Sequence, residues 1–337
     1  MQNRFTRDYG IEHPIVQGTL GIASMPALVA AVCEAGGMGT LGAVGWPLMS
    51  ATELRGLLQA VRGLTDRPFG VAFDSEFATD DHLRACIDLR VCVVNFDTAD
   101  PPPHFIRRLR GSGVRVWVKA GSVAEARGAA RSGADAIIAH GREAAGGCRS
   151  QTGTFTLLPA VVDAVWPVPV LASGGIADGR GLAAVLALGA DAAWIGTRFL
   201  ASREANAHGD YKRRVIEAGE GDTVVNTVFS ASGRAATVRM LRARPAPDPD
   251  MLSPSANGTG EHRLIGHTEI GGRAIDIREF SCTMPTPETV GDIESMCMPA
   301  GQSAALIRGV RPAREIVREM VREAESILLG KEWQTIA

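Results

Sequence analysis

The fold is decided by PVLASGGIADGRG at residues 169–181, followed after a helical interval by DAAWIGTRFL at residues 191–200. Each stretch opens with a short apolar run, which is typical of a strand buried in a parallel sheet. Glycines follow both runs, at Gly174, Gly175 and Gly196, where a strand would end and a helix would begin. The two stretches therefore predict consecutive βα units.

The same unit recurs toward the N-terminus. Apolar runs rich in Val, Ile and Ala alternate with amphipathic stretches rich in Ala, Leu and Arg. The predicted strands are residues 14–18, 38–43, 69–74, 91–96, 114–120, 135–140, 169–175 and 192–200. The predicted helices include residues 26–35, 51–62, 123–131, 157–165 and 179–188. Eight such units predict an α/β fold closed as a (β/α)₈ TIM barrel, since an open doubly wound sheet rarely runs so long.

The βα rhythm stops near residue 212. Residues 215–302 contain turn-rich motifs such as ARPAPDPDML and SANGTGEH, and they predict a cap or substrate domain inserted after strand 8. Residues 303–337 predict a pair of helices, interrupted at Pro312, that packs back on the barrel. The barrel itself is expected to occupy residues 1–214.

The composition excludes several classes of protein. Apolar residues make up 45% and charged residues 21% of the 337-residue chain, as in a compact soluble protein rather than a disordered one. The net charge of −2 provides no electrostatic basis for binding nucleic acid or an anionic membrane. The six cysteines form no CxxC pair and the seven histidines show no zinc spacing, so no metal site is expected. Without a signal peptide or an apolar span, the chain is expected to be cytoplasmic.

The strand-end glycines predict a phosphate-binding site. In TIM barrels the chemistry lies at the C-terminal ends of the strands. Backbone N–H groups of Gly174, Gly175, Gly196 and Thr197 would there approach a phosphate beside a helix N-terminus. Flavin mononucleotide (FMN), sugar phosphates and nucleotides all fit this pattern, and glycines that serve tight turns alone are the alternative.

Two other strand ends favour a flavin. Lys119 follows the apolar run Val-Trp-Val at the end of strand 5, so its ammonium is expected at the barrel mouth. There it would stabilise the N1–C2=O edge of an anionic reduced flavin. Gln17 and Gly18 end strand 1 and suit a polar contact and a close backbone approach to a flat ring. A solvated lysine at the rim is the alternative for Lys119.

Six motifs carry a resemblance to a known family: PIVQG, AAVCEAGGMGTLGA, PFGVAF, VKAGSVAEARGAARSGADAIIAHGREAAGGC, PVLASGGIADGRGLAAVLALGADAAWIGTRFLAS and MPAGQSAALI. Together they resemble the nitronate monooxygenases, formerly called 2-nitropropane dioxygenases, over nearly the whole chain. The resemblance implies a TIM barrel with non-covalent FMN, a smaller domain over its mouth, and oxidation of alkyl nitronates by O₂. Flavin-dependent enoyl-acyl-carrier-protein reductases share the same motifs.

Two departures from the family pattern concern the active site. After strand 6 the family reads Glu-Ala-Gly-Gly-His, with the histidine as catalytic base, whereas this chain reads EAAGGC and ends the run at Cys148. The family's third strand commonly reads Phe-Gly-Val-Asn, with the asparagine contacting flavin, and here Ala72 takes that place. The usual base is therefore missing, and the flavin pocket has one polar contact fewer.

His140 and Cys148 are the candidates to replace the missing base. His140 ends strand 6, so its imidazole should point to the barrel mouth and could abstract a proton from carbon. A histidine that is merely hydrogen-bonded beside the flavin is the alternative. Cys148 lies beside Arg149, which would lower the pKa of its thiol, and its position is similar to that of the nucleophile in inosine monophosphate dehydrogenase. Glu143 could orient His140 or Lys119, although a glutamate in a loop is more often solvated.

The sequence therefore predicts an FMN-dependent oxidoreductase that oxidises an alkyl nitronate, or a related small acidic carbon substrate, with O₂. The residues expected to bind FMN are Gln17, Gly18, Lys119, Gly147, Ser173, Gly174, Gly175, Gly196 and Thr197. The expected partners are a small-molecule substrate and O₂, without nucleic acid or membrane, and a homodimer is left open. The alternatives are an FMN-dependent enoyl reductase that uses NAD(P)H, and a flavin-binding protein with altered or lost catalysis.

Overall fold

The computed structural model describes residues 1–44, 49–97, 101–147, 150–227, 229–231, 234–235, 237–243 and 262–330. Within these residues eight parallel strands close into a barrel in chain order, and the last pairs with the first. The barrel strands are β1 (Ile15–Gln17), β2 (Met38–Val44), β3 (Gly70–Phe73), β4 (Val93–Phe96), β5 (Arg115–Ala120), β6 (Ala136–His140), β8 (Val170–Ser173) and β9 (Ala192–Ile195). The short strand β7 (Gly146–Gly147) lies outside the barrel. The prediction of a TIM barrel is confirmed.

Helices alternate with these strands. They are α1 (Arg4–Tyr9), α2 (Pro26–Glu34), α3 (Ala51–Leu64), α4 (Asp80–Asp88), α5 (Pro103–Gly111), α6 (Val123–Arg131), α7 (Thr154–Val165), α8 (Gly179–Ala187), α9 (Thr197–Leu200), α10 (Gly209–Glu217) and α11 (Ala313–Leu328). Helix α3 shows why the pattern folds this way. It begins with a capping box between Ser50 and Glu53, and it buries Leu54, Leu58 and Val61, which share one face at helical spacing.

Two apolar layers hold the barrel together. One buried cluster joins the strands to the surrounding helices, and a second contains alternate strand residues such as Val16, Trp117 and Ile138. The second cluster also includes Phe5 and Tyr9 of α1, and the Trp117 indole N–H donates to the Tyr9 hydroxyl at 2.7 Å. Helix α1 therefore covers the N-terminal end of the barrel, and the functional cavity lies at the opposite end.

The predicted eighth strand, residues 192–200, is too long. Strand β9 ends at Ile195, Gly196 has φ −100° and ψ −78°, and Thr197–Leu200 is one turn of helix. The amides of Phe199 and Leu200 donate to the Gly196 carbonyl and so begin this turn. The prediction was wrong because a short apolar run has the same hydrophobic pattern in a strand and in a buried helical turn. The other seven predicted strands and the five predicted helices are confirmed.

After α10 the chain forms small antiparallel sheets, which make up the smaller domain. Strands β10 (Thr223–Asn226) and β13 (Val238–Leu241) form one sheet with β7, and β14 (Leu264–Ile270), β15 (Arg273–Arg278) and β16 (Val290–Gly291) form another. Two-residue strands β11 (Ser230–Ala231) and β12 (Arg234–Ala235) pair with each other. Because β7 belongs to the loop after β6, this loop is tied to the smaller domain. The predicted boundary at residue 214 falls inside α10, and the division into three segments stays a prediction.

The C-terminal residues return to the barrel. Where the sequence predicts the first of two helices, the structure has a 3₁₀ turn at Gln302–Leu306, and Pro312 then precedes α11. Helix α11 packs against α8 and α2. In the described part of the chain, no helix combines the length and apolar character needed to cross a membrane.

Candidate active site

A cavity opens at the C-terminal end of the barrel, with about 900 Å³ of empty space when its open mouth is included. Its wall contains residues from the strand ends of the barrel and from the segment 284–303. The structure brings eight predicted site residues to this wall: Lys119, His140, Gly147, Ser173, Gly174, Gly175, Gly196 and Thr197. Seven of these residues, together with Asp97 on the same wall, define two rims. We call Ser173, Gly174, Gly175, Gly196 and Thr197 the glycine rim, and Asp97, Lys119 and His140 the charged rim.

The glycine rim lies at the ends of β8 and β9, and its backbone favours glycine at positions 174 and 175. Gly174 has φ +112° and Gly175 has φ +77°, a conformation that residues with a Cβ rarely adopt. A Cβ on Gly174 would lie 2.7 Å from the Thr154 hydroxyl oxygen and 3.1 Å from the Ala144 amide nitrogen. At Gly175 the nearest atom, the Glu143 Cβ, is 4.0 Å away. A side chain on Gly175 would therefore occupy cavity space rather than collide with the protein.

Buried hydrogen bonds hold the glycine rim from behind. The Thr154 hydroxyl lies 2.9 Å from a Glu143 carboxylate oxygen and 3.2 Å from the Ser173 carbonyl oxygen, and the Thr154 amide also donates to Glu143. On the other side, the Gly301 amide donates to the Thr197 hydroxyl at 2.9 Å. Glu143 therefore holds the start of α7, and among the described residues its carboxylate bonds to Thr154 rather than to His140 or Lys119.

The charged rim centres on Lys119 at the end of β5. Its side chain is buried, at 7% exposure, so it is not a solvated rim lysine. The Lys119 ammonium nitrogen lies 3.2 Å from a carboxylate oxygen of Asp97, which follows β4. The same oxygen accepts a hydrogen bond from the Asn95 amide at 3.1 Å. A fixed cation and its counterion therefore both line the cavity.

His140 completes the charged rim at the end of β6, opposite Ser173 of β8. It is 3% exposed, and its Nδ1 is buried with no hydrogen-bond partner among the described residues. Burial and the nearby Lys119 charge lower the pKa of His140 well below its ordinary value. The imidazole is therefore neutral at pH 7, and the residue lines the cavity wall.

Gln17 and Gly18 are not part of the cavity wall. The Gln17 amide lies within the protein, where it donates to the Ser24 hydroxyl at 2.9 Å and accepts from the Thr40 amide at 3.2 Å. A Cβ on Gly18 would lie 2.4 Å from the Trp194 indole nitrogen, so this glycine makes room for a side chain that does line the cavity. Cys148 lies outside the described residues.

Sequence reasoning missed several wall residues. Asp97 stands at a strand end, as Lys119 does, so the same rule could have found it. Tyr211, Met284 and Pro299 reach the mouth from outside the βα units, and the Tyr211 hydroxyl donates to the Pro299 carbonyl at 2.5 Å. These three residues carry no local signal because only the return of the chain over the barrel brings them together.

A closed barrel with a glycine rim and a charged rim around one cavity at its mouth has the architecture of a TIM-barrel enzyme. The sequence profile described as nitronate monooxygenase matches residues 2–81 and 74–323, and the chain belongs to that family. The nitronate monooxygenase of Pseudomonas aeruginosa is 31% identical, over 96% of this chain and 99% of the relative.

Other similar proteins carry different names. A Mycobacterium tuberculosis protein named (3aS,4S,5R,7aS)-5-hydroxy-7a-methyl-1-oxo-octahydro-1H-indene-4-carboxyl-CoA dehydrogenase is 39% identical over 67% of this chain and 63% of its own length. Among solved structures, FabK from Thermotoga maritima is 34% identical with a TM-score of 0.81, covering 98% of both chains. Nitroalkane oxidase from Streptomyces ansochromogenes is 31% identical with a TM-score of 0.74, covering 97% of this chain and 99% of that one.

Proposed function

We propose that this protein is an FMN-dependent oxidoreductase that oxidises an alkyl nitronate, or a related small acidic carbon substrate, with O₂. The observation that carries the proposal is one cavity in which a glycine rim faces a buried neutral imidazole and a fixed lysine charge. Membership of the nitronate monooxygenase family supports the same reaction class. A cytoplasmic location and a homodimer remain part of the proposal.

The residues of the cavity suit FMN. Two consecutive glycines with positive φ leave their backbone uncovered on the glycine rim, where Gly174, Gly175, Gly196 and Thr197 would hold the phosphate. Gly147, Ser173 and Lys119 also line the cavity and would contact the rest of the molecule. When bound, FMN supplies the capacity to accept and release two electrons.

The side chains of the cavity would supply a base, a positive charge and an apolar wall. A nitronate is already the conjugate base of a nitroalkane, so its oxidation requires no strong base. A neutral nitroalkane does require one, and the neutral imidazole of His140, which lines the cavity, would accept its carbon-bound proton. Lys119 provides a buried positive charge at the cavity wall, which would stabilise the negative charge of a reduced flavin. Apolar side chains of Leu20, Ile176 and Trp194 exclude water from the cavity wall.

A reductase that uses NAD(P)H is the second candidate. FabK, an enoyl-acyl-carrier-protein reductase, shares the fold at 34% identity, and the relative named as a CoA dehydrogenase is 39% identical over its matched part. Together with the missing family histidine, these similarities favour a substrate whose reacting carbon lies next to a thioester. A flavin-binding protein with altered or lost catalysis is the third candidate.

Anaerobic reduction of the bound flavin separates the three candidates. Purified protein is mixed with an alkyl nitronate and, in parallel, with NADPH, while the visible flavin absorbance is followed. We expect the nitronate to bleach the flavin and NADPH to leave it oxidised. Bleaching by NADPH alone would establish the reductase, and no bleaching by either donor would indicate lost catalysis.

A further inference from the structure

The ion pair between Asp97 and Lys119 has no counterpart elsewhere on the cavity wall that the structure describes. Asn95, fully buried on β4, donates to the Asp97 carboxylate, and this contact holds the carboxylate toward the lysine. Strand β4 pairs with β5, so the two charged residues come from neighbouring strand ends. Lys119 is buried and Asp97 is partly exposed, and an ion pair in such a setting contributes little net stability, because desolvation offsets its Coulomb energy. The ion pair is therefore better explained by its effect on the electrostatics of the cavity than by a contribution to the stability of the barrel.

Two further titratable groups interact electrostatically with Lys119. Asp74 follows β3 and is half-buried; burial raises its pKa, Asp97 adds to the rise and Lys119 opposes it. His140 approaches from β6, and the Lys119 charge contributes to its neutral state. Among these groups Asp97 is the one in direct contact with the ammonium. Its negative charge therefore has the largest influence on the field that Lys119 exerts in the cavity.

We propose that Asp97 is a positioning residue that fixes the Lys119 ammonium and offsets part of its charge, and thereby lowers the reduction potential of the bound flavin. The inference rests on the proposed binding of FMN. Reduction adds negative charge to the flavin, which a neighbouring cation stabilises and a neighbouring carboxylate destabilises. Asp97 and Lys119 consequently act on the potential in opposite directions.

The test compares Asp97→Asn, Lys119→Met and the double variant, each loaded with FMN at one fixed pH. The potential is measured by equilibration with a reference dye, and the dissociation constants of oxidised and reduced FMN are measured separately. Asp97→Asn should raise the potential, so that the ratio of oxidised to reduced dissociation constants increases about tenfold. Lys119→Met should shift the ratio the opposite way, and the double variant should lie between them.

Three comparisons make the result specific. Asp88→Asn removes an exposed carboxylate that is 2.7 Å from Arg55 on the outer helices, and it should leave the potential unchanged. Asp97→Glu keeps the charge and should restore a potential close to that of the wild type. Asp97→Ser removes the charge with a smaller side chain and replaces the asparagine variant if that variant does not fold.

The outcomes separate this inference from the proposed function. Asp97→Asn protein with full FMN occupancy and an unchanged potential would overturn the role of Asp97 while leaving the FMN enzyme intact. A potential that rises equally in Asp97→Asn and Asp97→Glu would also overturn it, because the change would then follow shape and not charge. Wild-type protein that takes up no FMN would overturn both proposals.

Discussion

The glycine rim and the charged rim face the same cavity but are built on opposite principles. On the glycine rim the backbone is the functional part, and Gly174 and Gly175 have positive φ angles that a side chain would disfavour. On the charged rim the side chains are the functional part, and Lys119 and His140 are almost completely buried there. The glycine rim therefore depends on residues that have no side chain, whereas the charged rim depends on the electrostatics of its side chains.

This difference predicts that substitutions on the two rims have different effects on FMN binding and on reactivity. Replacing Gly174 or Gly175 on the glycine rim should abolish binding of the cofactor, because the new Cβ occupies the space and strains the backbone. A substitution on the charged rim should leave binding largely intact and change the chemistry, because the shape of the cavity is kept while a charge or a base is lost. Measurements that separate FMN occupancy from reactivity can therefore test the comparison.

The largest effect is expected for Gly175→Val. A valine at φ +77° would be strained, and its side chain would extend into the cavity, so the purified variant should be colourless. FMN content is measured from the absorbance of the purified protein. Gly113→Val is the matched control, since Gly113 has φ +81° with open space around it and does not line the cavity. Stoichiometric FMN in Gly175→Val would remove the glycine rim from the binding site.

His140→Ala should have the next largest effect, on a nitroalkane substrate. Loss of the base should lower the rate of flavin reduction by a neutral nitroalkane about 10²-fold or more, while a preformed nitronate reacts nearly as before. Cys148→Ala is measured alongside, because Cys148 is the other candidate base. Equal nitroalkane rates in the wild type and both variants would exclude both residues and point to a group from the smaller domain.

The pH dependence of the same reaction sharpens this test. The pKa of His140 is lowered, so the folded protein keeps the imidazole unprotonated below the ordinary histidine value of about 6.5. The nitroalkane rate should therefore stay constant around pH 7 and fall only as the pH drops through the lowered pKa. Stopped-flow measurements of flavin reduction across the acid range test the sign. A rate that rises steeply above pH 7 would assign the base to a different group.

The smallest effect is expected for Thr197→Val. The valine keeps the shape of Thr197 but leaves the buried Gly301 amide without its 2.9 Å acceptor. This should lower the free energy of unfolding by about 1–3 kcal/mol, measured by urea denaturation. Thr156→Val, on the exposed face of α7, is the control and should change stability much less. Equal losses in the two variants would show that the hydroxyl does not support the glycine rim.

The barrel and the glycine rim were predictable because their signals are local. Apolar runs such as Ala136–His140 are short and end in polar residues or glycine, and the end of a barrel strand is where functional side chains lie. Lys119 and His140 could be placed at the cavity by that rule alone. The same rule failed at residues 196–200, because an apolar strand and an apolar helical turn have the same composition there.

The rest of the site could not be predicted because it depends on contacts between distant residues. Gln17 ends a strand, as expected, but its side-chain amide is hydrogen-bonded to the Ser24 hydroxyl and the Thr40 backbone amide. Asp97 gains its role only through the position of Lys119 on the next strand. Tyr211 and Pro299 meet at the mouth although they are 88 positions apart in the sequence. Local sequence patterns predict where a strand ends, but they do not predict which distant residue a side chain at that end will contact.

Because helix α11 lies near the C-terminal end of the sequence, it can cover the helices that it packs against only late in synthesis. It covers the outer faces of α2 and α8, and its Glu323 carboxylate accepts a hydrogen bond from the Gly179 amide at 2.7 Å. A Cβ on Gly179 would lie 2.4 Å from the Glu323 Cβ, so the two helices meet closely. During synthesis on the ribosome, the apolar sides of the earlier helices stay uncovered until residues 313–328 have emerged. A prematurely terminated chain should therefore aggregate or bind chaperones rather than accumulate as a smaller enzyme.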